Sequence, residues 1–172
     1  MNRWLLSCLV AQLLGCLVAA SFSVGVGLSP ALGAGSHATS YAKIFGSSTS
    51  YAYGRASIND ATFKAAAKTS NYAGCSTSNA HKNVPAGYLG TQAIIRNNNT
   101  GATCGTANVQ YNSSSTWTME RTTSITSGSE SNCPLPGYHY GVSYNLRVSD
   151  AGDTYYVTRQ TASAYHFNLR RA

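Results

Sequence analysis

The chain holds five carboxylates, and acid–base chemistry or cleavage of a glycosidic bond would need two of them facing one bond. They are Asp60, Glu120, Glu130, Asp150 and Asp153. Glu120 alone falls on an alternating, strand-like segment. Asp60 has the position of a helix cap, Glu130 lies in a loop, and Asp150 and Asp153 flank the Gly of a turn. Four histidines, His37, His81, His139 and His166, show no metal-ligand spacing. There is no Cys-x-x-Cys pair, no Gly-x-Ser-x-Gly elbow and no phosphate loop. No metal or cofactor is therefore expected. A thiol–imidazole pair from Cys75 and His81 is conceivable, but a disulfide or burial explains Cys75 more simply. Catalysis would have to rest on Glu120 or on His139, and the sequence favours a non-enzymatic role.

Aromatic side chains give the stronger signal. The chain has twelve tyrosines, all beyond residue 40. A tyrosine offers a flat ring and a hydroxyl, which suits stacking on sugars at low entropic cost. Tyr138, Tyr140 and Tyr144 alternate along one segment and are expected to fill a core. Tyr51, Tyr53, Tyr155 and Tyr156 are expected to be exposed, because adjacent residues of a strand cannot share a face. Lys and Arg number 12 against 5 acids, a net charge of +7. The basic residues are dispersed, with Arg170 and Arg171 alone adjacent. Such diffuse charge suits an anionic polymer or glycan, nucleic acid being the less favoured partner. The expected ligand-binding residues are Tyr51, Tyr53, Arg55, Arg147, Tyr155 and Arg159, with His139 and Arg147 together on the solvent face of their strand.

The N-terminus sets the compartment. Arg3 precedes an uncharged run from Trp4 to Ala20, which reads as an export signal over residues 1–34, with cleavage near Ala34 or Gly35. With Ser21 to Leu28 added, the run is long enough to act instead as an uncleaved membrane anchor. Leu13-Leu14-Gly15-Cys16 has the form of a lipoprotein acylation site, although an apolar stretch rather than a polar tether follows it. Outside the cytosol one disulfide is expected among Cys75, Cys104 and Cys133. Cys104–Cys133 is favoured, because each of the two precedes a probable strand.

The remaining length makes one domain. Residues 35–49 read as a flexible polar lead or a first edge strand, and residues 50–172 as a single β domain. Asp60 to Lys68 is the one helical candidate, capped by Asp60 and rich in Ala. Asn71 to Pro85 reads as a loop. Gly137 to Val148 is the clearest strand. Its even-numbered residues, Tyr138 to Val148, are expected to face the core, and His139, Gly141, Ser143, Asn145 and Arg147 to face solvent. A return strand pairing Thr154 with Val148 would set Tyr140 opposite Ala162 and Tyr138 opposite Ala164.

The expected fold is a small, mainly antiparallel β-sandwich or open barrel of about six strands with at most one short helix. The expected function is a secreted, non-enzymatic module that binds an anionic or glycan-rich surface such as the cell envelope. The alternatives are a secreted effector (an antimicrobial protein or an enzyme inhibitor) and a small extracellular hydrolase.

Overall fold

Ser, Thr, Tyr and Val in alternation favour extended chain, and a computed structural model of the protein consists of strands and their connections throughout residues 36–59, 64–125 and 132–166, the residues it describes. In chain order the strands are β1 (Ser36–Ala38), β2 (Ala42–Gly46), β3 (Tyr51–Asn59), β4 (Lys64–Tyr72), β5 (Leu89–Asn97), β6 (Thr103–Thr106), β7 (Gln110–Tyr111), β8 (Thr118–Ser124), β9 (Gly137–Val148), β10 (Thr154–Gln160) and β11 (Ala164–His166). All pairings are antiparallel, in two sheets. One has five strands in the order β1-β3-β4-β8, with β2 beside β3 beyond the end of β1. The other has six strands in the order β10-β9-β5-β6, with β11 continuing alongside β9 and β7 alongside β5. Strands β3 and β4 of the first sheet pack on β9 and β5 of the second, so the architecture is a β-sandwich. The export and anchor readings of residues 1–34 fall outside the described residues.

Several expectations need correction. Eleven strands are present among the described residues rather than about six, five of them in one sheet and six in the other. Of the two readings of residues 35–49, the edge strand holds over the flexible lead, and the segment supplies two strands, β1 and β2, each paired to β3. Most of the expected helix is a strand: Lys64 to Tyr72 pairs residue by residue with β3, while Asp60 lies outside the described residues. The alanines there serve the sheet contact, not helix propensity. Ala65, Ala67, Thr69 and Asn71 point inward and are fully buried, whereas Lys64, Ala66 and Lys68 point outward.

The largest correction concerns β9. The alternation is as expected, but the faces are exchanged. His139, Gly141, Ser143, Asn145 and Arg147 are buried between the sheets, while Tyr138, Tyr140, Tyr144, Leu146 and Val148 lie on the outer face, with Tyr138 43% exposed. The reason is the narrowness of the interior. A Cβ added to Gly54 of β3 would sit 2.6 Å from the Cβ of Asn145, and one added to Gly141 would sit 2.9 Å from the carbonyl oxygen of Ser57. Small side chains and backbone meet across this gap, and no tyrosine fits there.

Polar groups in so narrow a space must be paired. The Thr69 hydroxyl lies 2.9 Å from the Gly90 carbonyl oxygen and 3.1 Å from Asn145 Oδ1, sharing one proton between two acceptors. Asn145 Nδ2 donates to Ser143 Oγ at 2.6 Å, and the Thr91 hydroxyl lies 3.4 Å from the same Oδ1. These bonds tie β4 of one sheet to β5 and β9 of the other. A smaller apolar cluster of Ile58, Ala65, Ile95 and Ala164 surrounds the disulfide Cys104–Cys133, which is the pairing the sequence favoured.

The return strand begins as expected, with Thr154 opposite Val148. The register then shifts. Gln160 pairs with Val142 but Ala164 pairs with His139, so one extra residue is accommodated between β10 and β11. Thr161 makes this possible, because its hydroxyl accepts the Gly141 N–H at 2.9 Å and its own N–H donates to the Gly141 carbonyl. Tyr138 therefore faces Tyr165, and the expected pairing of Tyr138 with Ala164 is off by one residue. The shift also brings His166 to His139, with Nδ1 to Nδ1 at 3.1 Å and both rings buried. One ring donates from Nδ1–H and the other accepts, so the accepting ring is neutral, and the two cannot both be charged in that contact.

Two outcomes test this packing. Gly54→Val should cost about 1–3 kcal/mol by overpacking, while Ala66→Val, on the outer face of β4, should stay within about 0.5 kcal/mol of wild type. Urea unfolding of the two variants would settle it, and equal stability would contradict the narrow interior. Burial, followed by the neighbouring His166, lowers His139 from 6.5 to about 4. The unfolded chain then binds the proton that the folded chain refuses. Stability is fully present above pH 6.5 and declines as pH falls toward 4, by about 1.4 kcal/mol per unit for one histidine. Melts across that range should show the slope, and His139→Gln should flatten it.

Candidate functional site

The outward residues of β3 are Tyr51, Tyr53, Arg55 and Ser57, and their neighbours across β4 are Tyr72, Ser70, Lys68 and Ala66. The period of two thus delivers three of the expected ligand-binding residues, Tyr51, Tyr53 and Arg55, to the outer side of the five-stranded sheet. The expectation that Tyr53 is exposed is overturned: it is 9% exposed, because Tyr72 packs against its ring and the chain at Cys75 covers its hydroxyl. On one side β2 adds Lys43 opposite Tyr53. On the other, β8 adds Glu120 opposite Lys68 and Thr118 opposite Ser70.

Cations and rings interleave on this face. The Lys43 ammonium lies 5.2 Å from the Tyr51 ring centroid, the Arg55 guanidinium 5.4 Å from that of Tyr41, and the Lys68 ammonium 5.7 Å from that of Trp117. Each is within cation–π range. His81 lies flat on Trp117, with centroids 3.5 Å apart and planes 4° apart, and Tyr72 packs against both rings. The expected loop after Tyr72 is pinned here, since Tyr72 and His81 form a bridge and the Tyr53 hydroxyl donates to the Cys75 carbonyl. Burial pushes the Tyr53 phenol up, helped by Tyr51 and Tyr72; burial likewise raises that of Tyr72. Both phenols therefore stay protonated. Glu120 is half exposed and meets Lys68 at 3.9 Å. So exposed a pair contributes little to stability.

Arg147, Tyr155 and Arg159 occupy a different place. Tyr155 pairs with Arg147, and Arg159 with Ser143, so all three belong to the inner side of the six-stranded sheet. The expectation that Arg147 and His139 face solvent is overturned: they are 2% and 0% exposed. Tyr155, 40% exposed at the sandwich edge, packs its ring 5.1 Å from that of Phe45 on β2. Arg159 Nη2 donates to Ser40 Oγ at 3.3 Å in the link between β1 and β2. The six expected residues thus form two groups, one on an outer sheet face and one at the lateral edge where β2 approaches β10. The two expected catalytic candidates are likewise apart, with Glu120 on the outer face of the first sheet and His139 on the inner face of the second. Among the described residues, no three of His, Cys, Asp and Glu are grouped as metal ligands.

Sequence reasoning missed Tyr41, Lys43, Lys68, Tyr72, His81 and Trp117. Lys68 was hidden by the helix reading. Trp117 escapes strand alternation because β8 begins only at Thr118, and the preceding residue turns its ring to the outer side. A period-two reading of Lys64 to Tyr72 would have placed Lys68 and Tyr72 on the face of Arg55. The outer face of the six-stranded sheet is a second aromatic surface, on which Tyr138 meets Tyr165 edge to face and Tyr156 is 72% exposed.

Comparison with protein-family models, with curated proteins and with solved structures finds no match to this chain.

Proposed function

We propose that the protein is a secreted, non-enzymatic binding module for an anionic, glycan-rich surface such as a cell envelope. The observation that carries this reading is the outer face of the five-stranded sheet, where Lys43, Arg55 and Lys68 each stand over an aromatic ring and only Lys68 is ion-paired, with Glu120, among the described residues. A ring holds a cation at a fixed place without neutralising it, so the charge stays available to a partner. Tyr41, Tyr51 and Trp117 are part exposed and offer ring surface to sugars, while the buried Tyr53 and Tyr72 pack behind them. Sheet backbone holds the spacing, so little freedom is lost on binding. Secretion is supported by the uncharged run after Arg3 and by a disulfide-braced domain poor in charged residues.

Purified protein should sediment with isolated bacterial cell envelopes and be released as salt is raised to about 1 M, where the screening length falls to about 3 Å. The triple variant Lys43→Ala, Arg55→Ala, Lys68→Ala should bind about tenfold more weakly or worse with an unchanged unfolding midpoint, since the three side chains lie on the surface. Binding indifferent to salt and to the triple substitution would refute the reading.

A further inference from the structure

A free sheet edge invites another strand, and folded proteins shorten, charge, bulge or cover their edges. Among the described residues this sandwich does so at every edge but one. Strands β1, β7 and β11 have three residues or fewer, and β6 has four. Strand β2 carries Lys43 and a register shift before Phe45. Strand β8 carries Glu120 and Arg121, and Gly105 of β6 sits against its Ser124 carbonyl. Strand β10 is long and unguarded. Its seven residues, Thr154-Tyr155-Tyr156-Val157-Thr158-Arg159-Gln160, are mostly β-branched or aromatic and hold no Pro, Gly, Lys or acid. Among the described residues no strand lies beyond it, and its Tyr156, 72% exposed, is the most exposed large hydrophobic side chain.

The β9–β10 ladder fixes which backbone groups of β10 point to that edge. The Val148 N–H donates to the Tyr88 carbonyl on the β5 side, whereas Gly141 turns both its N–H and its carbonyl to Thr161 on the β10 side. Bonding alternates along an antiparallel strand, so Arg147, Asn145 and Ser143 bond to their partners Tyr155, Val157 and Arg159. The N–H and C=O groups of Thr154, Tyr156, Thr158 and Gln160 therefore point away from β9. Phe45 and Ser40 meet Tyr155 and Arg159 through side chains on the inner side, which leaves this row of backbone groups open.

We infer that β10 is the interface of a homodimer, in which two copies of the chain pair antiparallel about a two-fold axis at Val157 and join their six-stranded sheets edge to edge. Full overlap sets Thr154 opposite Gln160 and Tyr156 opposite Thr158, so every outward N–H and C=O of the strand finds a partner. The side chains match in the same register. On the inner side Arg159 of each copy falls opposite Tyr155 of the other, a cation beside a ring, and Val157 falls opposite itself. On the outer side Tyr156 falls opposite Thr158. Moving the axis to Tyr156 or Thr158 leaves outward groups unpaired and takes Arg159 away from Tyr155. The occupant is a second copy because the match is a self-match: the strand's one charge and the ring that receives it lie symmetrically about Val157. The axis stands perpendicular to the joined sheet, so both five-stranded sheets lie on the same side of it. Under the surface-binding reading their cation-bearing faces would engage one surface together, which raises avidity; the pairing itself does not depend on that reading.

Sedimentation equilibrium of the purified protein over a range of concentrations tests the pairing. Wild type should weigh two chains at the upper end of the range and dissociate on dilution. Thr158→Pro removes an outward N–H that β9 does not use, and should halve the mass while keeping the fold by circular dichroism. Val157→Cys reads the register. The two copies of residue 157 form a non-hydrogen-bonded pair with Cα atoms about 4.5 Å apart, within disulfide reach, so this variant should give a covalent dimer on mild oxidation. Gln160→Cys, whose two copies stand at opposite ends of the interface, should not. The triple variant of Lys43, Arg55 and Lys68 should weigh two chains as wild type does, so that loss of envelope binding and loss of pairing are read separately. A wild type of one-chain mass at every concentration, which leaves the edge to a strand of another protein, would overturn the inference. So would a dimer that survives Thr158→Pro, or one in which Val157→Cys does not cross-link. Should Thr158→Pro fail to fold, the cross-link decides alone.

Discussion

The contact of Asn145 with Thr69, seated against Gly54, is the constraint from which the rest of the sandwich follows. Two sheets that meet through a glycine, a threonine hydroxyl and an amide are too close for large side chains. Dispersion and hydrogen bonding between small groups replace the thick hydrophobic layer usual in sandwiches. Every large residue of β9 except Arg147 is then directed outward or into the histidine pair. The arrangement is specific as well as compact. A slip of one residue would bury tyrosines where no room exists and strand the hydroxyls without partners.

Displacement of aromatic residues from the interior gives both sheets outer faces rich in rings. On the five-stranded sheet these rings meet cations, and the pairs Lys43–Tyr51, Arg55–Tyr41 and Lys68–Trp117 stand side by side across β2, β3, β4 and β8. On the six-stranded sheet the rings meet one another, as in Tyr138 and Tyr165. The distribution of charge between the two faces thus has a structural origin. Arg55 and Lys68 lie at outward positions of strands whose inward positions are Ala52, Gly54, Ala56 and Ile58 on β3 and Ala65, Ala67, Thr69 and Asn71 on β4.

The sequence carried the fold class, the antiparallel order of its last hairpin and the disulfide in legible form. Alternation in Gly137 to Val148 and the pairing of Val148 with Thr154 needed only the period of a strand. Which side of that strand is buried was not legible, because hydrophobicity assigns tyrosine to a core, and here the size of the gap decides. That gap is set by Gly54 and Gly141, residues on different strands whose approach no local pattern reveals. The same blindness turned Ala65 and Ala67 into helix formers, although they are small because the opposite sheet is near. The shift at Thr161 depends on one hydroxyl standing in for a backbone partner, and a sequence with many threonines does not mark which one does so. Of the expected binding residues, Tyr51, Tyr53 and Arg55 were found together because they share one strand. Arg147 was expected at the surface, and it is buried.

That error is informative about charge. Arg55 and Arg147 each lie beside aromatic rings, yet their settings differ in the property that governs recognition. Arg55 lies on a half-buried outer face, where water and salt weaken its field and where neighbouring cations act with it. A partner there would be selected by the summed charge and by the spacing of rings. Arg147 lies between two rings with no competing water at Nε or Nη1. Both settings arise from the narrow interior, which leaves large cations two places to go: the outer face of a sheet, or the edge where the sheets begin to part. A chain that puts an arginine in each holds one cation in a field weakened by solvent and another in a closed, weakly polarisable setting where every remaining interaction is stronger.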